Sequence, residues 1–151
     1  MTLWHKRALV STLIWVVATT VFLLGAFSGD GPAGLEDVSP RRNLAGAAIA
    51  CGLILHFLVR IITRPRQDKP GTRVDERDRE IDNKATQISL GVTVAGIFIG
   101  CIMLHDAFQT TGAVPVNWVW FVGYSGFILS HLAWAVLSVI MYSGNIDHGQ
   151  G

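Results

Sequence analysis

The stretch DERDREIDNKATQISLGVTVAGIFIGCIMLH, Asp75 to His105, carries the reading of the fold. Eight of its first ten residues are charged, and from Ala85 to His105 there is no Lys, Arg, Asp or Glu. A bilayer core about 30 Å thick needs about 20 mostly apolar residues of helix. One Lys, Arg or Asp at its centre costs about 2.5–3.5 kcal/mol. The stretch therefore reads as a spanning helix that runs into the membrane from a charged helical extension.

Three more charge-free gaps lie outside it: Ala8 to Gly29, Asn43 to Val59 and Ala107 to Ile146. They predict spans over 8–27, 44–62, 86–105 and 116–142, with a loop over 63–85 between the second and third. Arg60 extends the second span by reaching its guanidinium to the interface. Barrel strands would alternate apolar and polar residues with a period of two, and these runs do not. The expected fold is all-α, a four-helix transmembrane bundle forming a single domain over 1–151. The overall composition agrees, with 50% hydrophobic and 15% charged residues against about 25% charged in soluble domains.

The ends of the spans carry their own signals. Lys6 and Arg7 before the first run, and Ala26-Phe27-Ser28 after it, resemble a signal peptide. The run is longer than the usual 7–15 residues of a signal core, so it is expected to stay as an anchor. Ser39 before Pro40 suits a helix start, Pro65 a stop, Pro115 another start and Gly144 a C-terminal stop. Trp4, Trp118, Trp120, Tyr124 and Tyr142 fall where interfacial aromatic rings are favoured, and Trp15 and Trp134 sit deeper.

Orientation follows from the basic residues. The stretch from Arg60 to Lys84 holds eight Lys and Arg and the N-terminus two, whereas Asp106 to Pro115 and the tail after Tyr142 hold none. The positive-inside rule then puts both termini and the central loop in the cytoplasm of a cell (inner) membrane. A net charge of +1 argues against direct nucleic-acid binding.

Within the charged segment, Asp75 with Arg79 and Glu80 with Lys84 are spaced for helix ion pairs. Val74, Ile81, Ala85 and Ile88 fall on one stripe that continues into the third span. The pattern DERDxxIxxKA, Asp75 to Ala85, resembles an uncharacterised family of small prokaryotic multi-pass membrane proteins with a DERD-type charged helix ahead of two C-terminal spans. The likeness covers about Val74 to Tyr142. It implies a fold and no catalytic residues, and it suggests a cytoplasmic protein partner, by analogy with small membrane proteins that accompany DNA-binding regulators. Asp75, Glu76, Arg77, Asp78 and Arg79 are the candidate partner-binding residues. The plainer reading is a solvated, self-paired helix. Anionic lipid is a poorer partner, because six acids offset the eight basic residues of this region.

No carboxylate or lysine lies inside a predicted span, so the usual coupling group of a small transporter is missing. At 1.5 Å per residue, His56 and His131 both fall near mid-bilayer and can meet. They are either hydrogen-bonded packing residues, a proton relay, or a bis-histidine haem pair. Cys51, Cys101 and His105 form a weaker soft-metal set, with a Cys51–Cys101 disulfide as its alternative. Gly96 and Gly100, Ala48 and Gly52, and Gly126 and Ser130 are small-residue pairs suited to close helix packing. Packing within the chain is expected, with a homodimer as the alternative. The sequence contains no GxSxG, Walker-type or HExxH motif. The chain is thus expected to be a non-enzymatic membrane protein without a cofactor, with a structural, regulatory or interaction role. A haem or redox protein and a small permease are the alternatives.

Overall fold

The computed structural model describes residues 3–28, 31–32, 40–63 and 76–144. Four helices account for nearly all of them: α1 (Leu3–Phe27), α2 (Pro40–Ile62), α3 (Glu76–Phe108) and α4 (Val116–Gly144). Each is long and apolar enough to cross a membrane. α1 starts at Leu3 rather than Ala8, which takes Lys6 and Arg7 into the helix. α3 runs without a break from its charged turns into its apolar run. Ser39, Pro65, Val74 and Asp75 lie outside the described residues.

Most hydroxyls inside these apolar helices are satisfied locally, Ser11 of α1 being buried without a partner. Thr12, Thr19, Thr20, Thr93 and Ser138 each donate to the carbonyl four residues earlier, at 2.6–2.9 Å. In a lipid medium an unmade hydrogen bond has no water to replace it, so this back-bonding lets Ser and Thr sit within a span.

Successive helices are antiparallel. The start of α1 meets the end of α4 through Ala8 and Tyr142, and its end meets the start of α4 through Phe22 and Phe121, stacked with centroids 5.7 Å apart. The packed pairs are α1 with α2, α1 with α4 and α3 with α4. The order is therefore α2–α1–α4–α3, and the ring of four is open between α2 and α3. Trp15, Ala18, Phe22, Ala45, Ile49 and Ile128 form the main core. Leu13, Ile54, Ile62, Phe98 and Met103 are exposed, as apolar side chains facing lipid should be.

The small residues set how closely the helices approach. A Cβ on Gly96 would lie 2.6 Å from Leu129, and one on Gly126 would lie 2.7 Å from Ile97. Gly100 packs against Val122, and Gly52 against Ala18 and Trp15. These glycine faces are used inside the chain, between α3 and α4 and between α1 and α2. After Phe108 the chain turns through Gly112, at φ 69°, a left-handed conformation that glycine adopts without strain. The Gly112 N–H donates to the Phe108 carbonyl at 3.1 Å.

Replacing Gly126 by Leu forces Ile97 and the α3–α4 contact apart, and is expected to destabilise the bundle by about 1–3 kcal/mol. Gly91→Leu, where a Cβ meets nothing within 4 Å, should leave stability unchanged. Thermal unfolding of the two variants in detergent checks the difference.

Candidate functional site

The starts of α1 and α3 and the ends of α2 and α4 come together at one end of the bundle, the charged end. Helical spacing puts Asp78, Ile81, Asp82, Ala85 and Ser89 on one face of α3. Ile81, Ala85 and Ser89 are buried against the rest of the bundle. Asp78 and Asp82 are drawn in with them. The Tyr142 hydroxyl donates to Asp78 Oδ1 at 3.0 Å, and the Trp134 indole N–H donates to Asp82 Oδ1 at 3.0 Å. Both donors are on α4, so two charge-assisted bonds, of about 1.5–3 kcal/mol each, clamp the charged turns of α3 onto it.

This changes the reading of Asp75 to Arg79 as one solvated surface. Asp78 is an internal acceptor, whereas Glu76, Arg77, Arg79, Glu80 and Lys84 are exposed. Glu80 and Lys84 form the expected ion pair at 2.7 Å. That bond and the ammonium charge hold the Glu80 carboxyl below its ordinary pKa. Both side chains are in water, where such a pair contributes little. Ile88 is exposed instead of continuing the buried stripe; Ser89 takes that place.

Arg7 is buried, with its guanidinium 4.9 Å from the centre of the Trp4 ring. Asp82 and Arg60 are both near enough to act on its charge. Arg7, Asp82, Trp134, Ser138 and Tyr142 line one narrow cavity between α1, α3 and α4. The charged end therefore continues inward as a polar cluster drawn from three helices. Lys6 and Arg7 read from the sequence as flanking charges, and that reading missed Arg7. The signal was present in spacing, since Arg7, Ser11, Trp15, Ala18 and Phe22 form the buried face of α1.

Deeper in the bundle His56 and His131 meet, with ring centroids 5.8 Å apart and planes at 88°. Trp15 packs on both, at 4.5 Å from His131 and 6.1 Å from His56. Trp134 closes the other side of His56 at 5.5 Å, and the Arg60 guanidinium lies 5.7 Å from the Trp134 ring centre. The tautomers follow from the partners. The Trp15 N–H can only donate, and it reaches His56 Nδ1 at 3.4 Å, so a neutral His56 carries its proton on Nε2. His131 Nδ1 lies 3.1 Å from the Phe127 carbonyl, an acceptor, so Nδ1 donates and Nε2 keeps a lone pair. One ring is left a donor and the other an acceptor.

That arrangement does not fit a bis-histidine haem, which needs an open lone pair on both rings and a flat slot between them. Here Trp15 engages the His56 Nδ1 lone pair while Nε2 carries the proton, and Trp15 and Trp134 pack against the pair. Cys51 and Cys101 are free, exposed thiols on α2 and α3, helices that do not form a packed pair. His105 is exposed on α3. Among the described residues no three His, Cys, Asp or Glu side chains come together as a metal site would require.

No family model, curated protein or solved structure matches this chain. The site is therefore read from its own chemistry.

The Asp82–Trp134 bond is directly testable. Trp134→Phe leaves the carboxylate without its donor and should destabilise the protein by about 1–3 kcal/mol. In a double-mutant cycle with Asp82→Ala the two losses should overlap rather than add. Unfolding of the four proteins in mixed micelles checks it; simple additivity would show that the two groups act independently.

Proposed function

We propose that this chain is a multi-pass cell inner-membrane protein with an interaction role, not an enzyme. It acts through the exposed face of the first turns of α3, which receives a cytoplasmic protein partner. The observation that carries this reading is the pair of bonds from Tyr142 to Asp78 and from Trp134 to Asp82. They fix one side of the charged helix to the bundle and leave Glu76, Arg77, Arg79, Glu80 and Lys84 projecting from the other. Charges held on a fixed helix lose less entropy on docking than charges on a flexible loop. Their mixed signs suit a protein surface of complementary pattern better than a uniformly anionic one.

In this reading both termini lie in the cytoplasm with the charged end. The concentration of Lys and Arg between Arg60 and Lys84 supports that side. The likeness of Asp75 to Ala85 to small prokaryotic membrane proteins with a DERD-type helix is part of the same proposal. The buried His56 and the half-buried His131 then serve as complementary packing that joins α2 to α4.

A photo-crosslinking residue placed at Arg79 should give one discrete protein adduct in intact cells, and the same residue at the lipid-facing Ile99 should give none. Equal adducts at both positions, or none at Arg79, would contradict an interaction role for this face.

A further inference from the structure

Cys101 and His105 stand one turn apart on α3, and both are open. The Cys101 thiol is free and exposed. His105 is exposed as well, and neither of its ring nitrogens is hydrogen-bonded among the described residues. Residues at i and i+4 of a helix face the same way, with Cβ atoms about 5–6 Å apart. The two histidines of an HExxH helix grip one zinc at this same spacing. A thiolate and an imidazole are both zinc ligands, at about 2.3 Å and 2.0–2.1 Å. Cys51, by contrast, lines an apolar groove between α1 and α2, and the residues four places from it, Ala47 and Leu55, cannot bind a metal.

One chain supplies half of a site. A structural zinc takes four protein ligands in a tetrahedron, and among the described residues no third His, Cys, Asp or Glu side chain joins these two. The same face of a second copy can bring the other half, because a two-fold axis sets a patch against its own counterpart. The helix has the pattern for this. Val94, Phe98, Cys101 and His105 follow one another at spacings of four, three and four residues, the interval of a two-helix seam. All four are exposed. They lie away from the Gly96 and Gly100 face, which meets Leu129 and Val122 of α4. α3 is also the least buried of the four spans.

From this juxtaposition we infer that Cys101 and His105 of two copies of the chain bind one Zn2+ between paired α3 helices. Each thiol releases its proton to solvent and forms a Zn–S bond, and each neutral imidazole gives one nitrogen lone pair. Two thiolates balance the charge of the ion, so the closed site is neutral. Neutrality suits its depth. Cys101 lies one turn inside the end of the charge-free run from Ala85 to His105, where a net charge is unfavourable. His105, at the end of that run, is within reach of an ion arriving from water. The site is at the opposite end of α3 from its charged turns, so it stands independently of the cytoplasmic partner.

The test uses the full chain in detergent micelles with a phosphine reductant, titrated with zinc and read by native mass spectrometry. One zinc should be bound per two chains, the dimer forming as zinc is added and dispersing with a chelator. Cobalt in place of zinc should give the thiolate charge-transfer band and the strong visible absorption of a tetrahedral site. Cys101→Ser and His105→Ala should each weaken zinc binding at least about a hundredfold, because losing a residue that merely orients a ligand already costs about 10–100-fold. Both positions are exposed, so thermal unfolding of the metal-free variants should match that of the native chain. The cobalt spectrum is read on the native chain and stays decisive if a variant folds poorly. Cys51→Ser should bind zinc unchanged. Zinc binding that survives in both variants, one zinc per single chain, a dimer indifferent to chelator, or a cobalt complex without thiolate bands would each overturn the inference.

Discussion

A carboxylate at the mouth of an apolar helix bundle is tolerated only if something donates to it, and the rest of this structure is arranged around that requirement. Asp82 sits one turn from the start of the charge-free run of α3, and Asp78 one turn before it. Their donors are Trp134 and Tyr142 on α4. Because these donors are on a neighbouring helix, satisfying the carboxylates also fixes how α3 sits on α4. The glycines of the two helices then allow the close approach that continues this contact along the bundle. Arg7 and Trp4 of α1 complete the cluster, so three of the four helices meet at one polar end.

The same logic applies deeper in the bundle. His56 and His131 are polar rings in an apolar setting, and each has one nitrogen engaged, by Trp15 and by the Phe127 carbonyl. Their remaining nitrogens are opposite in character. Trp15 and Trp134 pack against the pair. Arg7 Nε, Ser11 Oγ and Asn117 Nδ2 are the exceptions among the described residues, buried without a hydrogen-bond partner.

Much of the fold was legible from charge gaps alone. A span must exclude Lys, Arg, Asp and Glu, and that exclusion is visible residue by residue. Helix starts were less legible, because nothing in a hydropathy pattern separates a helical Arg7 from a flanking one. The meeting of His56 and His131 was readable from depth, as both lie a similar number of turns along their helices. The roles of Asp78 and Asp82 were hidden for a different reason. In the run from Asp75 to Lys84 every charged position looks solvated, and only helical spacing from the apolar Ile81 and Ala85 puts Asp78 and Asp82 on the packed face. Their partners, Trp134 and Tyr142, lie more than 50 residues away in sequence and carry no local mark of the bond. The openness of the bundle between α2 and α3 was also unreadable, since the charge-free runs of both helices are apolar on every side.

The central claim is that the charged turns of α3 are a fixed part of the bundle and not a free helix. Hydrogen–deuterium exchange of the amides from Asp78 to Lys84, in protein reconstituted into lipid, measures this most directly. Strong protection in the native chain, lost when Asp78 and Asp82 are both replaced by Ala while the rest of α3 stays protected, is the predicted result. Rapid exchange of these amides in the native chain, or protection unchanged in the double variant, would contradict the account.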